Sequence, residues 1–211
     1  MKRICAYFFL IMLGLCLSQI SRAQGNPEAT NQARQGSEAA KSGDWDKAID
    51  SFRKATDLDK KHAPNLAAAL QQRGAANMSQ QRFAEAAEDF TEALKINPND
   101  AGTYERRAYV EMKMNDYDKA LADYSEAIKH NPRDARYYNL RAYILETKSD
   151  VNGATADTEK ALKIDKHNAE ALARKERLQK IQAANAQQQQ QQSLSQTPIP
   201  AQPTAPPKKK P

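Results

Sequence analysis

Small, apolar and aromatic positions recur along this chain at one fixed interval. Ala120 aligns with Ala86 and Ala154, Ala127 with Ala93 and Ala161, Tyr124 with Phe90, and Pro132 with Pro98. One more copy lies upstream, with Ala48, Phe52 and Ala55 in the same roles, set back by an insertion at Ala63 to Leu66. The pattern predicts four copies, 29–62, 67–100, 101–134 and 135–168, each made of a helix A, a short turn and a helix B. The turn reads Ser42-Gly43-Asp44 in the first copy, Asn115-Asp116 in the third and Ser149-Asp150 in the fourth. Asp44, Asp116 and Asp150 are expected to cap helix B by accepting from its free amide groups, and Arg82 makes a weaker cap in the second copy. Trp45, Phe83, Tyr117 and Val151 then open helix B, which ends at Asp59, Asn97, Asn131 and Asp165. Pro98 and Pro132 follow two of these ends and disfavour helix at the residue before them.

Closely packed helices need small residues where they cross. Gly36, Gly74, Ala108 and Ala142 hold that position on helix A, and Ala48, Ala86, Ala120 and Ala154 hold its counterpart on helix B. Phe52, Phe90 and Tyr124 are placed to fill the space between neighbouring copies. Thr158 departs from this pattern, and Lys60 and Lys166 stand where the proline would be. Outer copies bury less, so the middle two are expected to be the most stable. A second series has the same period: Arg73, Arg107 and Arg141, followed at one constant spacing by Asp89, Asp123 and Asp157. Antiparallel helices bring such positions opposite one another, and the first copy lacks both partners, having Gln35 and Ser51. Two readings stand: a repeated Arg–Asp bridge, or an anion site built from three arginines that the nearby aspartates would neutralise.

The flanks differ in kind from the copies. Residues 1–23 read as a secretory signal peptide, with Lys2 and Arg3 at the start and an apolar run from Ile4 to Leu17. Ser21-Arg22-Ala23 then offers small residues at a cleavage site before Gln24, and residues 24–28 are a lead-in. An uncleaved anchor is the rival reading; once the signal is cleaved, no stable membrane insertion is expected. Residues 169–186 predict a capping helix with a polar outer face and Leu172, Leu178 and Ile181 on a thin apolar one. A run of glutamine and then a Pro-rich stretch make 187–211 a disordered tail by composition.

Charge and chemistry narrow the function by exclusion. The formal charge is +6, but setting aside Lys2, Arg3 and Arg22 leaves +3, and setting aside Lys208, Lys209 and Lys210 as well leaves zero. A neutral body lacks the concentrated basic face that nucleic acid requires. Both cysteines, Cys5 and Cys16, fall in the leader, so the mature chain is expected to have neither disulfides nor thiolate metal sites. His62, His130 and His167 are too dispersed for a metal site. No phosphate loop, nucleophile elbow or paired-histidine motif is present, so no enzyme and no cofactor are expected.

The repeat period, with small, aromatic and proline residues at fixed offsets, resembles the tetratricopeptide repeat. The resemblance covers residues 29–168. It implies an all-α fold: a right-handed superhelical solenoid of four helix–turn–helix repeats plus a C-terminal capping helix. It also implies a concave groove lined by helix A, where a protein or peptide partner would bind. The groove positions select Gln71 and Met78 from the second repeat, Glu105, Tyr109 and Met112 from the third, and Arg136, Asn139 and Tyr143 from the fourth. One subgroup of the family clamps a peptide carboxylate with Lys and Asn; Ala33, Ser37 and Gln72 stand at those positions here and do not reproduce the clamp. The expected function is an exported, non-enzymatic interaction scaffold, periplasmic or secreted in a bacterial envelope. The alternatives are an accessory subunit of an envelope enzyme or transport complex, and a cell-wall or polysaccharide binder using Tyr109 and Tyr143 as stacking platforms.

Overall fold

The computed structural model describes residues 26–195, and no strand occurs among them. The expected leader, and the tail beyond residue 195, lie outside the described residues. Helices α1 (Pro27–Lys41) and α2 (Trp45–Leu58) form the first hairpin, and α3 (Ala63–Ser79) and α4 (Phe83–Ile96) the second. The third hairpin is α5 (Ala101–Lys113) with α6 (Tyr117–His130), and the fourth is α7 (Ala135–Thr147) with α8 (Val151–Ile164). A final helix, α9 (Ala169–Ser195), packs on α8. Each A helix packs on the B helix of its own repeat and, from the second repeat on, on that of the repeat before, which makes a solenoid with its core spread along the stack. No described helix is long and apolar enough to cross a membrane.

The hairpin turns follow from local hydrogen bonding. Asp44, Asp116 and Asp150 accept from the amides of Lys47, Lys119 and Gly153, while Arg82 makes no side-chain cap. Helix B stops at Asp59, Asn97, Asn131 and Asp165, as the pattern predicts. Each A helix closes through one residue in the left-handed region: Gly43 (φ 76°), Gln81 (φ 60°), Asn115 (φ 62°) and Ser149 (φ 62°). The third repeat shows why: the Asn115 amide donates to the Met112 carbonyl at 3.0 Å and the Asp116 amide to the Glu111 carbonyl at 2.8 Å. That pair of bonds satisfies carbonyls that the helix end would otherwise leave free, and it requires the left-handed residue between them.

Packing follows the small residues. A Cβ on Gly74 would stand 2.8 Å from Phe90 Cε1, and one on Gly36 2.9 Å from Phe52 Cδ1, so both glycines let a phenylalanine ring approach the backbone. Phe52 packs with Leu66, Ala69 and Leu70 of the next repeat, Phe90 with Val110, and Tyr124 with Ile144. Thr158 takes the aromatic position in the fourth repeat and is buried, with its hydroxyl donating to the Ala154 carbonyl at 2.7 Å.

Three expectations need correction. The insertion at Ala63 to Leu66 is an extra helical turn: α3 has 17 residues where α5 and α7 have 13. Pro64 sits in its first turn, where a missing N–H costs nothing, and Leu66 is buried, so the second A helix starts at Ala63. The capping helix continues past Ala186 through the glutamine run to Ser195. Glutamine is a good helix former, so the helix runs on into the glutamine run; within the expected cap, Gln182 is tied to Thr155 Oγ1 at 3.1 Å. Finally, the buried stripe of α9 is Ala171, Arg174 and Leu178, while Leu172 and Ile181 are exposed. These three stand one full period after Tyr137, Leu140 and Ile144, so the cap docks as a fifth A helix and that register chooses its inner face.

Candidate functional site

The periodic arginines and aspartates meet in every repeat that has them. Arg107 donates to Asp123 through Nε at 2.6 Å and Nη2 at 2.7 Å, and Arg141 to Asp157 at 2.7 and 2.8 Å. Arg73 reaches Asp89 with Nη2 at 2.6 Å and Nε at 3.1 Å. The three aspartates are buried. Hydrogen bonding to these carboxylates raises the pKa of each arginine, so all three guanidinium groups stay charged. With every guanidinium engaged by a carboxylate, the bridge reading holds and an anion site does not follow.

Sequence reasoning missed the third arm of each arginine. Arg107 Nη1 donates to Thr91 Oγ1 at 3.0 Å and Arg141 Nη1 to Ser125 Oγ at 2.9 Å, both on the preceding B helix. Thr91 and Ser125 are themselves one period apart, which was a readable signal. The equivalent residue in the first repeat is the cation Arg53, and there Arg73 Nη1 turns to Asp46 Oδ1 at 2.6 Å instead. Each arginine therefore locks its own hairpin and fastens it to the one before.

The eight residues expected in the groove all lie on A helices, and they divide into three groups. Tyr109 and Tyr143, at equivalent positions one repeat apart, are 40% and 46% exposed. The Lys113 ammonium lies 5.2 Å from the Tyr109 ring centroid. Met78 and Met112 are half-buried; Met78 packs on the Phe90 and Val110 cluster, and Met112 beside Tyr124, whose hydroxyl donates to its sulfur at 3.7 Å. The polar four connect successive repeats. Gln71 donates to Asp100 Oδ2 and Thr103 Oγ1, both at 2.7 Å, and Arg136 pairs with Glu105 at 3.5 Å and Asp134 at 2.7 Å. Burial raises the Glu105 pKa.

Asn139 corrects the expectation. It is buried, and its Oδ1 accepts from Arg174 Nη1 at 3.5 Å beneath the capping helix. Arg174 is itself fully buried and donates to Glu146 at 3.2 Å and Glu170 at 2.8 Å; Arg177 also grips Glu146. Burial would raise the Glu146 carboxyl, but the hydrogen bonds from Arg177 and Arg174 outweigh it and the pKa falls. The cap closes the fourth A helix at Asn139 and leaves Tyr143 open.

A small notch of about 240 Å³ lies between the first two repeats. It is lined by Ser37 and Ala40 of α1, Trp45 and Phe52 of α2, and Ala68 and Gln72 of α3, among others. Its walls are mainly apolar, with Ser37 and Gln72 at hand for polar contacts. Among the described residues no group of three His, Cys, Asp or Glu side chains could hold a metal ion.

Comparison with known proteins bears on this architecture. Family profiles described as tetratricopeptide repeat match residues 34–101, 77–144 and 135–168. The Arabidopsis OM64 TPR domain is 24% identical, with a TM-score of 0.53 over 56% of this chain and 98% of its own. The first TPR of Spaghetti (RPAP3), solved bound to the HSP90 peptide SRMEEVD, is 20% identical, with a TM-score of 0.53 over 56% of this chain and 93% of its own. A tetratricopeptide repeat protein from Parabacteroides merdae is 21% identical, with a TM-score of 0.59 over 75% of this chain and 62% of its own. At these identities the likeness concerns the fold. No curated protein matches the chain.

Proposed function

With tetratricopeptide repeats running through residues 34–168, we propose that this protein is a non-enzymatic scaffold that binds a protein or peptide along its A helices. The observation that carries this reading is the pair Tyr109 and Tyr143, aromatic, equivalent and exposed on successive A helices. A tyrosine offers a flat apolar body with a polar tip, and a half-buried methionine beside it adapts to the shape of a partner. The notch between the first two repeats offers a separate, mainly apolar recess that also involves an A helix. The RPAP3 domains named above and in a second complex hold HSP90 and HSP70 peptides, which supports a peptide as the class of partner. Ala33 and Ser37 stand where the carboxylate clamp would have its Lys and Asn, so the partner is not expected to be that kind of chaperone tail.

We further propose that the chain is exported to a bacterial periplasm or the outside of the cell, on the strength of the leader pattern in residues 1–23. An accessory subunit of an envelope enzyme or transport complex is the same scaffold in a larger assembly. Crosslinked pull-down from native cells tests the proposal: a stoichiometric protein partner supports it. Binding to a glycan array without any protein partner would instead favour the polysaccharide reading, with the two tyrosines as stacking platforms.

A further inference from the structure

The slot that Asn77 fills in the second repeat is filled by Glu111 in the third, one period later. Asn77 is buried beside the bridge, where its Nδ2 donates to Asp89 Oδ2 at 2.9 Å and its Oδ1 accepts from Arg82 Nη2 at 2.6 Å. The third repeat keeps the bridge and changes both helpers: Glu111 replaces the amide, and Asp116 stands where Arg82 stood. Glu111 is only 6% exposed, and its Oε2 is buried without a hydrogen-bond partner. An ionised carboxylate can only accept, and so can the bridging Asp123. Two buried acceptors side by side repel, whereas one proton turns Glu111 into the donor that Asn77 already is.

We propose that Glu111 retains its proton and donates it to Asp123, so that the α5–α6 hairpin is closed by a proton-dependent clasp. The surrounding charges agree. Burial, and then the charge of Asp123, push the Glu111 carboxyl up to about 7; Arg107 opposes, Asp116 adds to the rise and Lys119 opposes it. A cavity of about 830 Å³ lies against this group and is also lined by Glu88, Glu92 and Lys95 of α4 and Arg53 of α2. Glu92 pairs with Arg53 at 2.6 Å and Lys119 with Asp116, so these charges at the cavity wall are already engaged with each other. Its opening gives water and protons a route to Glu111.

Loss of the proton would set Glu111 in competition with Asp123 for Arg107, which also holds Thr91 of the preceding repeat. The junction between the second and third repeats then loosens, and Tyr109 sits on the affected helix. The sign follows from linkage. The folded pKa lies above the ordinary value of 4.5, so the stabilisation is full below that value and is lost as pH rises through about 7. The clasp is independent of any partner.

The test compares the full chain with its Glu111→Gln variant, in which the amide donates at every pH. Thermal midpoints are measured from pH 4.5 to 8.5. The two proteins should nearly coincide at the acid end, separate progressively as pH rises from about 4.5 to about 7 and then keep a constant gap, with the variant more stable by roughly 4 °C or more at pH 8.5. In the wild type, the carboxyl carbon of Glu111 followed by NMR should titrate with a midpoint near 7. A difference between the proteins that does not change with pH, or a Glu111 midpoint near 4.5, would overturn the proposal. Should the variant fail to fold, the carbon titration of the wild type decides the matter by itself.

Discussion

Arg107 and Asp123 face each other across the third hairpin with two parallel hydrogen bonds, of 2.6 and 2.7 Å, while the remaining arm of the arginine holds Thr91 of the repeat before. The arginine side chain is 20% exposed and the aspartate 7%. Such a pair is more than a surface ornament, because removing one partner leaves the other partly stripped of water. In a double-mutant cycle, Arg107→Ala and Asp123→Ala should couple by about 1–3 kcal/mol. Arg107→Ala should be the more harmful single change, since Asp123 would stay buried without its cation while a freed arginine can reach solvent. Denaturant unfolding measures both, and strict additivity would show that the two groups do not interact in solution.

The exposed tyrosines carry the binding proposal. Tyr109→Ala combined with Tyr143→Ala should weaken a recovered partner by about 2 kcal/mol or more, because few interface residues usually supply most of the binding energy and aromatic ones are enriched among them. Helix content by circular dichroism should stay at the wild-type level, as neither tyrosine belongs to the buried core. Lys54→Ala and Lys129→Ala, on exposed B-helix positions, should change affinity little. Normal binding by the tyrosine pair, with loss in the lysine variants, would move the site to the other face.

Three of the turns hold side chains in a backbone region that favours glycine, and of these Asn115 is the type that tolerates it best. Gln81 and Ser149 have φ near 60°, where a non-glycine residue costs roughly 1–2 kcal/mol. Glycine at those sites recovers that cost and gives back about 0.4–1 kcal/mol through a freer unfolded chain. Gln81→Gly and Ser149→Gly should therefore each raise stability by a few tenths to about 1 kcal/mol. A fall in the thermal midpoint would show that contacts of the native side chains outweigh the backbone strain.

Glycine is indispensable where α3 crosses α4. Gly74→Ala gains at most about 1 kcal/mol of helix propensity. The new methyl would meet Phe90 at 2.8 Å, and that ring is completely buried and cannot swing away. Overpacking of this kind typically costs about 1–3 kcal/mol, so the variant should be less stable than the wild type despite the better helix former. Unfolding midpoints decide the sign.

Export makes a chemical prediction. Mass spectrometry of protein recovered from outside the cytoplasm should find Gln24, or its cyclised form, at the N-terminus. A mature chain that still begins at Met1 would refute cleavage at this site.

Residue pattern alone determined whatever lies within one hairpin. The caps at Asp44, Asp116 and Asp150, the helix ends at Asn97 and Asn131 and the evenly spaced Arg–Asp partners are all short-range relations. They return with each copy of the repeat, so the period itself exposes them. Tertiary structure decided what passes between hairpins. Whether Gln71 faces a partner or reaches Thr103, whether Arg107 has a third acceptor in Thr91, and whether Asn139 is open or covered by Arg174 depend on how far and at what register one hairpin stacks on the next. The extra turn at Ala63 and the inward face of α9 have the same origin: an isolated helix has several stripes it could bury, and docking against the preceding repeat selects one. Tyr109 and Tyr143 were legible as equivalent residues on one side of their helices, but only the stacked structure leaves them exposed while the polar residues around them are spent on joining repeats.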